Sequence, residues 1–285
     1  MPAEPPVVSP NTLAEAFDLI ASGPHRPVAG GTDLLVQITG EIGEPPERVI
    51  DLWGLDELRG IEVQPGALVI GALTTYTDLR RSSDVAEYLP ALAEAAATIG
   101  AAQIQNRGTL GGNAANASPA GDTLPILLAT DAELLVGGAR GERSVPARDF
   151  WPAYRKTALA PDELLLSISF PLLSDRQVRF RKVGTRRAQA ISKVVMALAW
   201  EVRGDDPKWR HVRLALGSMA ATPIRAGRTE ATMEGAAPAA ETAEAAAAAL
   251  TAELSPIDDV RSTADYRRAV ASRVLHRLIR DEGGW

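Results

Sequence analysis

The chain has 285 residues, 46% of them hydrophobic, and a formal net charge of −6 at pH 7. This length and composition predict a folded protein with one large domain or two ordinary ones. The negative charge argues against nucleic acid or an anionic membrane as the main partner. Because the chain contains no cysteine, it cannot supply thiolate ligands to an iron–sulfur cluster, form a disulfide or use a cysteine nucleophile. Any redox chemistry must therefore use a bound cofactor.

The sequence gives no sign of export or of metal binding. The N-terminal stretch MPAEPPVVSP lacks the charged start and long apolar core of a signal peptide, and no window approaches the ~18 apolar residues of a membrane span. A cytoplasmic protein without a membrane span is therefore expected. His25, His211 and His276 are far apart in sequence and have no ligand-like spacing, so no metal site is expected.

Helical and extended patterns alternate in the first half of the chain. Thr12-Leu-Ala-Glu15 has the form of a capping box and opens a predicted amphipathic helix that ends at Gly23. A short strand over 27–29 breaks at Gly30-Gly31, and Thr32-Asp33 can begin a further helical turn. The other predicted elements are a hairpin over 61–70 with its turn at Pro65-Gly66, helices over 89–98 and 123–130, and strands over 133–136 and 166–170.

From about residue 177 the pattern changes to long strands followed by helices. We predict strands over 177–184, 192–203 and 209–218, and helices over 239–253 and 264–281. Strands followed by helices indicate a separate α+β domain.

Two glycine-rich segments carry most of the functional information. The first is Ala29-Gly30-Gly31-Thr32-Asp33-Leu34-Leu35, and the second runs from Thr98 to Asp122 and contains QNRGTLGGNAANASPAGD. Paired glycines allow backbone N–H groups to converge into a nest that binds phosphate oxygens. Residues 99–122 are too polar for a core, which predicts a ligand-binding loop. Neither segment is a dinucleotide-fold G-x-G-x-x-G or a P-loop, and by itself Gly30-Gly31 also fits a tight turn.

Both segments resemble the FAD-binding motifs of the flavoprotein subunit of molybdenum hydroxylases, the xanthine dehydrogenase and carbon monoxide dehydrogenase group. In that family an Ala-Gly-Gly-Thr-Asp-Leu run is followed by Gln-Ile-Arg-Asn-x-Gly-Thr-Ile-Gly-Gly-Asn, then Ser-Pro and Asp. The similarity spans nearly the whole chain and continues through Tyr154-Arg155-Lys156-Thr157, 161–168, Arg181-Lys182, Arg186-Arg187, 255–259 and 262–268.

The resemblance implies an α+β fold in two domains. Residues 1–173 would form a two-part FAD-binding domain of the vanillyl-alcohol oxidase type, with subdomains at about 1–55 and 56–173. Residues 174–285 would form a smaller α+β domain with a three-stranded antiparallel sheet and helices.

The resemblance also implies a set of cofactor-binding residues. Loop 27–34 would wrap the pyrophosphate, and Thr109 to Asn113 would form the facing loop. Asp122 would accept a hydrogen bond from an FAD hydroxyl. The implied binding residues are Pro27, Val28, Ala29, Gly30, Gly31, Thr32, Asp33, Leu34, Ile99, Thr109, Leu110, Gly111, Gly112, Asn113, Ala115, Ser118, Asp122, Leu165 and Lys182.

Arg155 is the single catalytic candidate, because a cation near the flavin ring would stabilise its reduced anionic form. Arg155 beside Lys156 also fits an exposed basic pair, and Lys182 a solvated strand residue. The chain departs from the motif at two positions. Ala115 stands where a larger apolar side chain often packs on the ring, and Gln105 where arginine is common.

The implied function is electron transfer from a partner iron–sulfur subunit through FAD to NAD, a quinone or oxygen. The [2Fe-2S] clusters and molybdopterin would belong to the partners, a small iron–sulfur subunit and a large molybdopterin subunit, in a dimer of heterotrimers. One alternative is a stand-alone flavin oxidase, which the similarity of the C-terminal residues disfavours. The other is a non-catalytic scaffold, which the presence of Gly30, Gly31, Gly112, Asn113 and Asp122 disfavours.

Overall fold

The computed structural model of the protein describes residues 5–40, 44–186 and 189–285. Arg187, which belongs to one of the similar runs, lies outside the described residues. Strands within them form three sheets, ordered β1-β3-β2, β4-β5-β8-β6-β7 and β12-β11-β10-β9. The strands are β1 Val7–Val8, β2 Arg26–Val28, β3 Val49–Asp51, β4 Ile61–Gln64, β5 Ala67–Gly71, β6 Glu133–Gly138, β7 Gly141–Pro146, β8 Leu164–Pro171, β9 Arg176–Val183, β10 Val194–Arg203, β11 Asp206–Gly217 and β12 Ile224–Arg225.

The helices connect and cover these sheets, and a short 3-10 helix spans Asp56–Leu58. The α-helices are α1 Leu13–Ala21, α2 Leu34–Thr39, α3 Tyr76–Arg81, α4 Ser83–Tyr88, α5 Pro90–Thr98, α6 Ala102–Gln105, α7 Leu110–Asn116, α8 Leu124–Ala129, α9 Ala147–Phe150, α10 Gly227–Met233, α11 Ala240–Glu253 and α12 Ala264–Gly283.

The first sheet is parallel, with β3 between β1 and β2. Helix α1 is capped by Thr12, as predicted, and the Thr12 hydroxyl accepts a hydrogen bond from the Glu15 amide at 3.2 Å. The Glu15 carboxylate accepts from the amide of Asn11 at 2.7 Å, so the reciprocal bond of a capping box is displaced by one residue. Burial of Ala16 and Ile20 fixes α1 on the core beneath this sheet.

The second sheet is antiparallel and contains the predicted hairpin, with Gly66 at φ +81° in the turn between β4 and β5. Helices α3 and α4 were not predicted. Both are nonetheless capped by side chains, because the hydroxyls of Thr75 and Ser82 accept from the amides of Asp78 and Val85. Thr75 and Asp78 form a complete capping box that fixes where α3 begins.

The third sheet is antiparallel, and it has one more strand than the predicted three, because the two-residue β12 pairs with β11. Strand β10 is buried on both faces. Successive strand residues point to opposite faces, so two cores share this one strand. Met196, Leu198 and Trp200 pack with α11 and α12, whereas Val195, Ala197 and Ala199 pack with the core of the second sheet.

The predicted ligand-binding loop over 99–122 is partly helical, since it contains α6 and α7. Two glycines in α7 would normally disfavour a helix. Position 111 requires a residue without a side chain, because a Cβ there would lie 2.6 Å from the carbonyl oxygen of Ala72. Tertiary contact thus overrides local propensity.

The domain boundary between 173 and 174 stays a prediction. The apolar core crosses it, because β10 packs into the core of the second sheet.

Arg267 is the buried charge that ties α12 to the third sheet. Its side chain is 4% exposed and donates to the carbonyl oxygens of Lys193 at 3.1 Å and Ser218 at 2.9 Å, and to the Asp259 carboxylate at 2.7 Å. We expect Arg267→Ala to lower the free energy of unfolding by about 2–4 kcal/mol, because buried acceptors lose their donors.

Urea denaturation monitored by tryptophan fluorescence would measure this change. Arg277→Ala on the same helix is the matched control, because the Arg277 side chain is 75% exposed and its ion pair with Asp281 spans 3.7 Å. Arg277→Ala should change the free energy of unfolding by less than about 0.5 kcal/mol. Equal stability of the two variants would contradict the role given to Arg267.

Candidate cofactor site

A cleft lies between the loop that follows β2, helix α7 and the start of β8. Most of the residues predicted to bind the cofactor line it, although they come from distant parts of the chain. They are Pro27, Val28, Ala29, Gly30, Gly31, Thr32, Asp33, Leu34, Thr109, Gly111, Gly112, Asn113, Ala115 and Leu165. The structure therefore brings the two glycine-rich segments to one place.

Loop 27–34 presents backbone donors to this cleft. Among the described residues, no protein acceptor receives the amide N–H groups of Gly30, Gly31, Thr32 and Asp33. Gly31 has φ +74°, a conformation that glycine adopts without strain. Successive unpaired amides around such a residue form a nest for anionic oxygens. The loop therefore fits the diphosphate of a dinucleotide.

Helix α7 uses its first amides within the protein, unlike the nest expected from the Gly111-Gly112 pair. The amides of Leu110 and Gly111 donate to the carbonyl oxygens of Thr74 and Ala72 at 3.0 and 2.9 Å. The Gly112 amide donates to the Thr109 hydroxyl at 3.0 Å. The second segment thus supplies a rigid wall, and amides for an anion come from loop 27–34.

The two segments touch through their backbones. A Cβ placed on Gly30 would lie 1.6 Å from the carbonyl oxygen of Arg107 and 3.1 Å from the amide nitrogen of Gly108. The guanidinium of Arg107 packs 3.6 Å from the centre of the Trp53 ring, and that of Arg59 lies 4.3 Å from the same ring. These cation–π contacts hold the segment that contacts Gly30.

Charged side chains lie at one side of the cleft. Burial raises the pKa of the Asp33 carboxyl, while the Arg155 guanidinium and a hydrogen bond with Asn116 oppose the rise. Arg155 has φ +50° and donates to the side-chain oxygen of Asn116, a lining residue, at 3.3 Å. Arg155 itself is exposed. A cation is therefore held near the cleft on a strained backbone.

Asp122 and Lys182 lie outside the residues that line the cleft and form a buried ion pair. The Lys182 ammonium is 2.6 Å from one Asp122 oxygen and donates to the carbonyl oxygen of Thr98 at 3.1 Å. The side chains are 8% and 9% exposed, so Lys182 is not a solvated strand residue. The second oxygen of Asp122 is buried and has no hydrogen-bond partner among the described residues.

Three further predicted residues do not line the cleft. Leu110 is fully buried in the core, so its side chain cannot face a ligand. The carbonyl of Ile99 accepts from Gln105 at 2.9 Å, and the Ser118 hydroxyl accepts from the Ala120 amide at 3.3 Å. Gln105, where the motif commonly has arginine, is buried and ties α6 to the end of α5.

The cleft is also lined by residues that the sequence analysis did not select. The sequence contains one local signal near them, the capping residue Thr75 before Tyr76. That signal indicates the start of a helix and not a binding site. The additional residues are Arg26, Gln37, Leu52, Leu58, Ala72, Leu73, Tyr76, Asn116, Thr157, Leu159, Glu163 and Leu164. Several are apolar, which suits one wall of the cleft to a ring system.

The described residues hold no cluster of three or more potential metal ligands. Within residues 5–40, 44–186 and 189–285, no helix is long and apolar enough to cross a membrane. The arrangement is thus an anion-binding loop beside an apolar wall, as a dinucleotide cofactor requires.

Comparison with known families agrees with this geometry. Residues 3–173 match the FAD binding domain in molybdopterin dehydrogenase, and residues 179–281 match the CO dehydrogenase flavoprotein C-terminal domain. The fold and the cleft therefore define an FAD-binding flavoprotein chain of molybdopterin-dependent dehydrogenases.

Individual relatives are similar over almost their full length. The xanthine dehydrogenase FAD-binding subunit of Escherichia coli O157:H7 is 33% identical over 281 residues, which cover 96% of this chain and 95% of the relative. The carbon monoxide dehydrogenase medium chain of Hydrogenophaga pseudoflava is 32% identical, covering 95% and 94%. A solved carbon monoxide dehydrogenase structure from that organism superposes with a TM-score of 0.91 at 32% identity, covering 97% and 96%. The chain belongs to the family of FAD-binding medium subunits of xanthine and carbon monoxide dehydrogenases, which are oxidoreductases.

The contact between the two segments predicts that Gly30 cannot be replaced. Gly30→Ala should weaken FAD binding at least about a hundredfold, because the added methyl group forces loop 27–34 away from Arg107. Flavin absorbance after desalting and titration of apoprotein would measure the loss. Gly54→Ala is the control, since a Cβ there has open space. Native affinity in the Gly30 variant would show that the two segments need not touch.

Proposed function

We propose that this chain transfers electrons from a partner iron–sulfur subunit, through its FAD, to a terminal acceptor. The partners in this proposal are a small [2Fe-2S] subunit and a large molybdopterin subunit, in a dimer of heterotrimers. The acceptor is NAD, a quinone or oxygen, and the cytoplasm is the proposed location. The observation that carries the proposal is a dinucleotide cleft in a chain that has no cysteine and whose described residues contain no cluster of potential metal ligands.

The composition supports a partner that delivers electrons. The chain has no cysteine, and its described residues contain no potential metal-binding cluster. Relatives are named as the medium chain of carbon monoxide dehydrogenase or as the medium subunit of nicotine 6-hydroxylase, names that imply further subunits. Substrate hydroxylation is therefore assigned to another chain, and this chain is expected not to determine substrate choice.

The residues around the cleft supply binding and electrostatics. FAD, when bound, supplies a centre that exchanges one or two electrons. Amides of Gly30 to Asp33 would hold its diphosphate, and the second oxygen of Asp122 would accept from one of its hydroxyls. Arg155 would place a positive charge near the ring, which favours added negative charge.

Two alternatives fit the cleft less well. A stand-alone flavin oxidase would not need the C-terminal domain of the dehydrogenase flavoproteins, which matches over residues 179–281. A non-catalytic scaffold would not need to keep four amides without acceptors beside an apolar wall.

The first test of this function is the isolated protein. The purified chain should be yellow and contain one FAD, and acid precipitation should release that flavin, because the chain has no cysteine and no histidine lines the cleft among the described residues. Absorbance of the supernatant would count the cofactor. A colourless protein that cannot be reconstituted with FAD would contradict the assignment of the cleft.

The second test concerns Arg155 in the assembled complex. In Arg155→Ala, reduction of FAD by substrate or its reoxidation by the natural acceptor should slow roughly tenfold to a hundredfold, the scale of one charge interaction. Turnover with a dye that accepts electrons before FAD should persist. Stopped-flow absorbance of the flavin separates these steps.

Arg148→Ala is the matched control for this test, because Arg148 is an exposed arginine on α9. It should leave both activities unchanged. Equal loss of dye-linked and natural-acceptor turnover in the Arg155 variant, with FAD still bound, would contradict a role at the flavin. Full substrate turnover by the isolated chain would overturn the subunit assignment.

A further inference from the structure

Tyr76 is a buried tyrosine in the cleft that the sequence motifs do not include. It begins α3, its amide donates to the carbonyl oxygen of Gly108 at 3.1 Å, and the residue is only 4% exposed. It also lines the same cleft as loop 27–34. Tyr76 is therefore packed in the wall of the cofactor site and is not a surface residue.

The ring of Tyr76 adjoins the contact between the two glycine-rich segments. A Cβ on Gly108 would lie 2.7 Å from the Tyr76 ring, at Cε2, and a Cβ on Gly30 would lie 3.1 Å from the Gly108 amide nitrogen. The backbone of Gly108 thus adjoins both the Tyr76 ring and Gly30 of the amide nest. Only glycine at 30 and 108 allows these three layers to pack so closely.

The hydroxyl of Tyr76 has no hydrogen-bond partner within the described part of the chain. A tyrosine hydroxyl ordinarily finds a partner. The Tyr76 oxygen is not sealed from solvent, so a partner can reach it from outside the protein. Because the residue lines a cleft with nearby unpaired amides, a ligand in that cleft is the natural partner.

The protonation state fixes the direction of this hydrogen bond. Burial raises the pKa of Tyr76 far above its ordinary value, and the carboxylates of Asp33 and Asp122 raise it further. The phenol therefore stays neutral at physiological pH and keeps a proton to donate. A phosphate oxygen is a strong, acceptor-only partner.

We propose that the Tyr76 hydroxyl donates a hydrogen bond to a diphosphate oxygen of the bound FAD. This inference rests on the proposed placement of the diphosphate on the amides of loop 27–34. The phenol would add a side-chain donor from α3 to the backbone donors of that loop. Two elements, the loop and α3, would then donate to the same group, beside the wall that α7 forms.

The decisive variant is Tyr76→Phe, which keeps the ring and removes only the hydroxyl. FAD affinity of the apoprotein, measured by titration of flavin fluorescence, should fall about tenfold to a hundredfold, as for a lost hydrogen bond to a charged group. Phosphorus NMR of the FAD-saturated protein should show a displaced resonance for one of the two phosphorus atoms. The melting temperature of the apoprotein should stay the same or rise, because an unpaired polar group is removed.

Tyr88→Phe is the matched control, because Tyr88 is an exposed tyrosine on α4. It should bind FAD like the unmodified chain. Unchanged affinity in Tyr76→Phe would overturn the inference while leaving the proposed function intact. Weaker binding with both phosphorus resonances unmoved would overturn the diphosphate as the acceptor. If the unmodified chain failed to bind FAD, the proposed function itself would fall.

Discussion

The cofactor site depends on the direct contact between the backbone at Gly30 and the backbone at Arg107 and Gly108. One side comes from the parallel sheet and the other from the helices beside the antiparallel sheet. With any side chain at position 30, a carbon atom would overlap the Arg107 carbonyl. The contact positions the unpaired amides of loop 27–34 at one wall of the cleft and the Tyr76 ring at another. The packing of Arg107 on Trp53 then holds this backbone contact, to which Gly30 contributes no side chain.

The two glycine pairs have different tasks, although they look alike in sequence. The amides of Gly111 and Gly112 are bonded within the protein, so α7 is rigid whether or not a ligand is present. The amides of Gly30 and Gly31 have no protein acceptor among the described residues, so that loop gains partners when an anion binds. A rigid wall facing an incompletely bonded loop gives both preorganisation and binding energy.

Much of the fold follows from local signals, but much of the site does not. The Thr12 cap, the Pro65-Gly66 turn and the alternating strands depend on residues that are neighbours in sequence. These elements occur where they were predicted. Tyr76 is different, because its importance comes from contact with Gly108, which lies 32 positions away in the chain. Pairing of Lys182 with Asp122 is likewise a tertiary fact, and strand periodicity alone predicted a solvated lysine equally well. Composition located the glycine-rich segments and resemblance gave them a role, whereas side-chain burial required the structure.

The C-terminal sheet belongs to the framework of the cofactor site. Lys182 on β9 pairs with Asp122, and the Ser218 amide donates to the carbonyl oxygen of Pro119 at 2.7 Å. The Ser192 hydroxyl donates to the carbonyl oxygen of Ala120 at 3.2 Å, so the end of the second glycine-rich segment is attached to this sheet at three points. A buried ion pair adds little net stability, but removing one partner leaves an uncompensated charge. Because β10 also contributes its Val195 face to the core of the second sheet, the two regions cannot separate without exposing apolar surface and breaking this pair. The C-terminal sheet therefore holds residues 119–122 in place without itself lining the cleft.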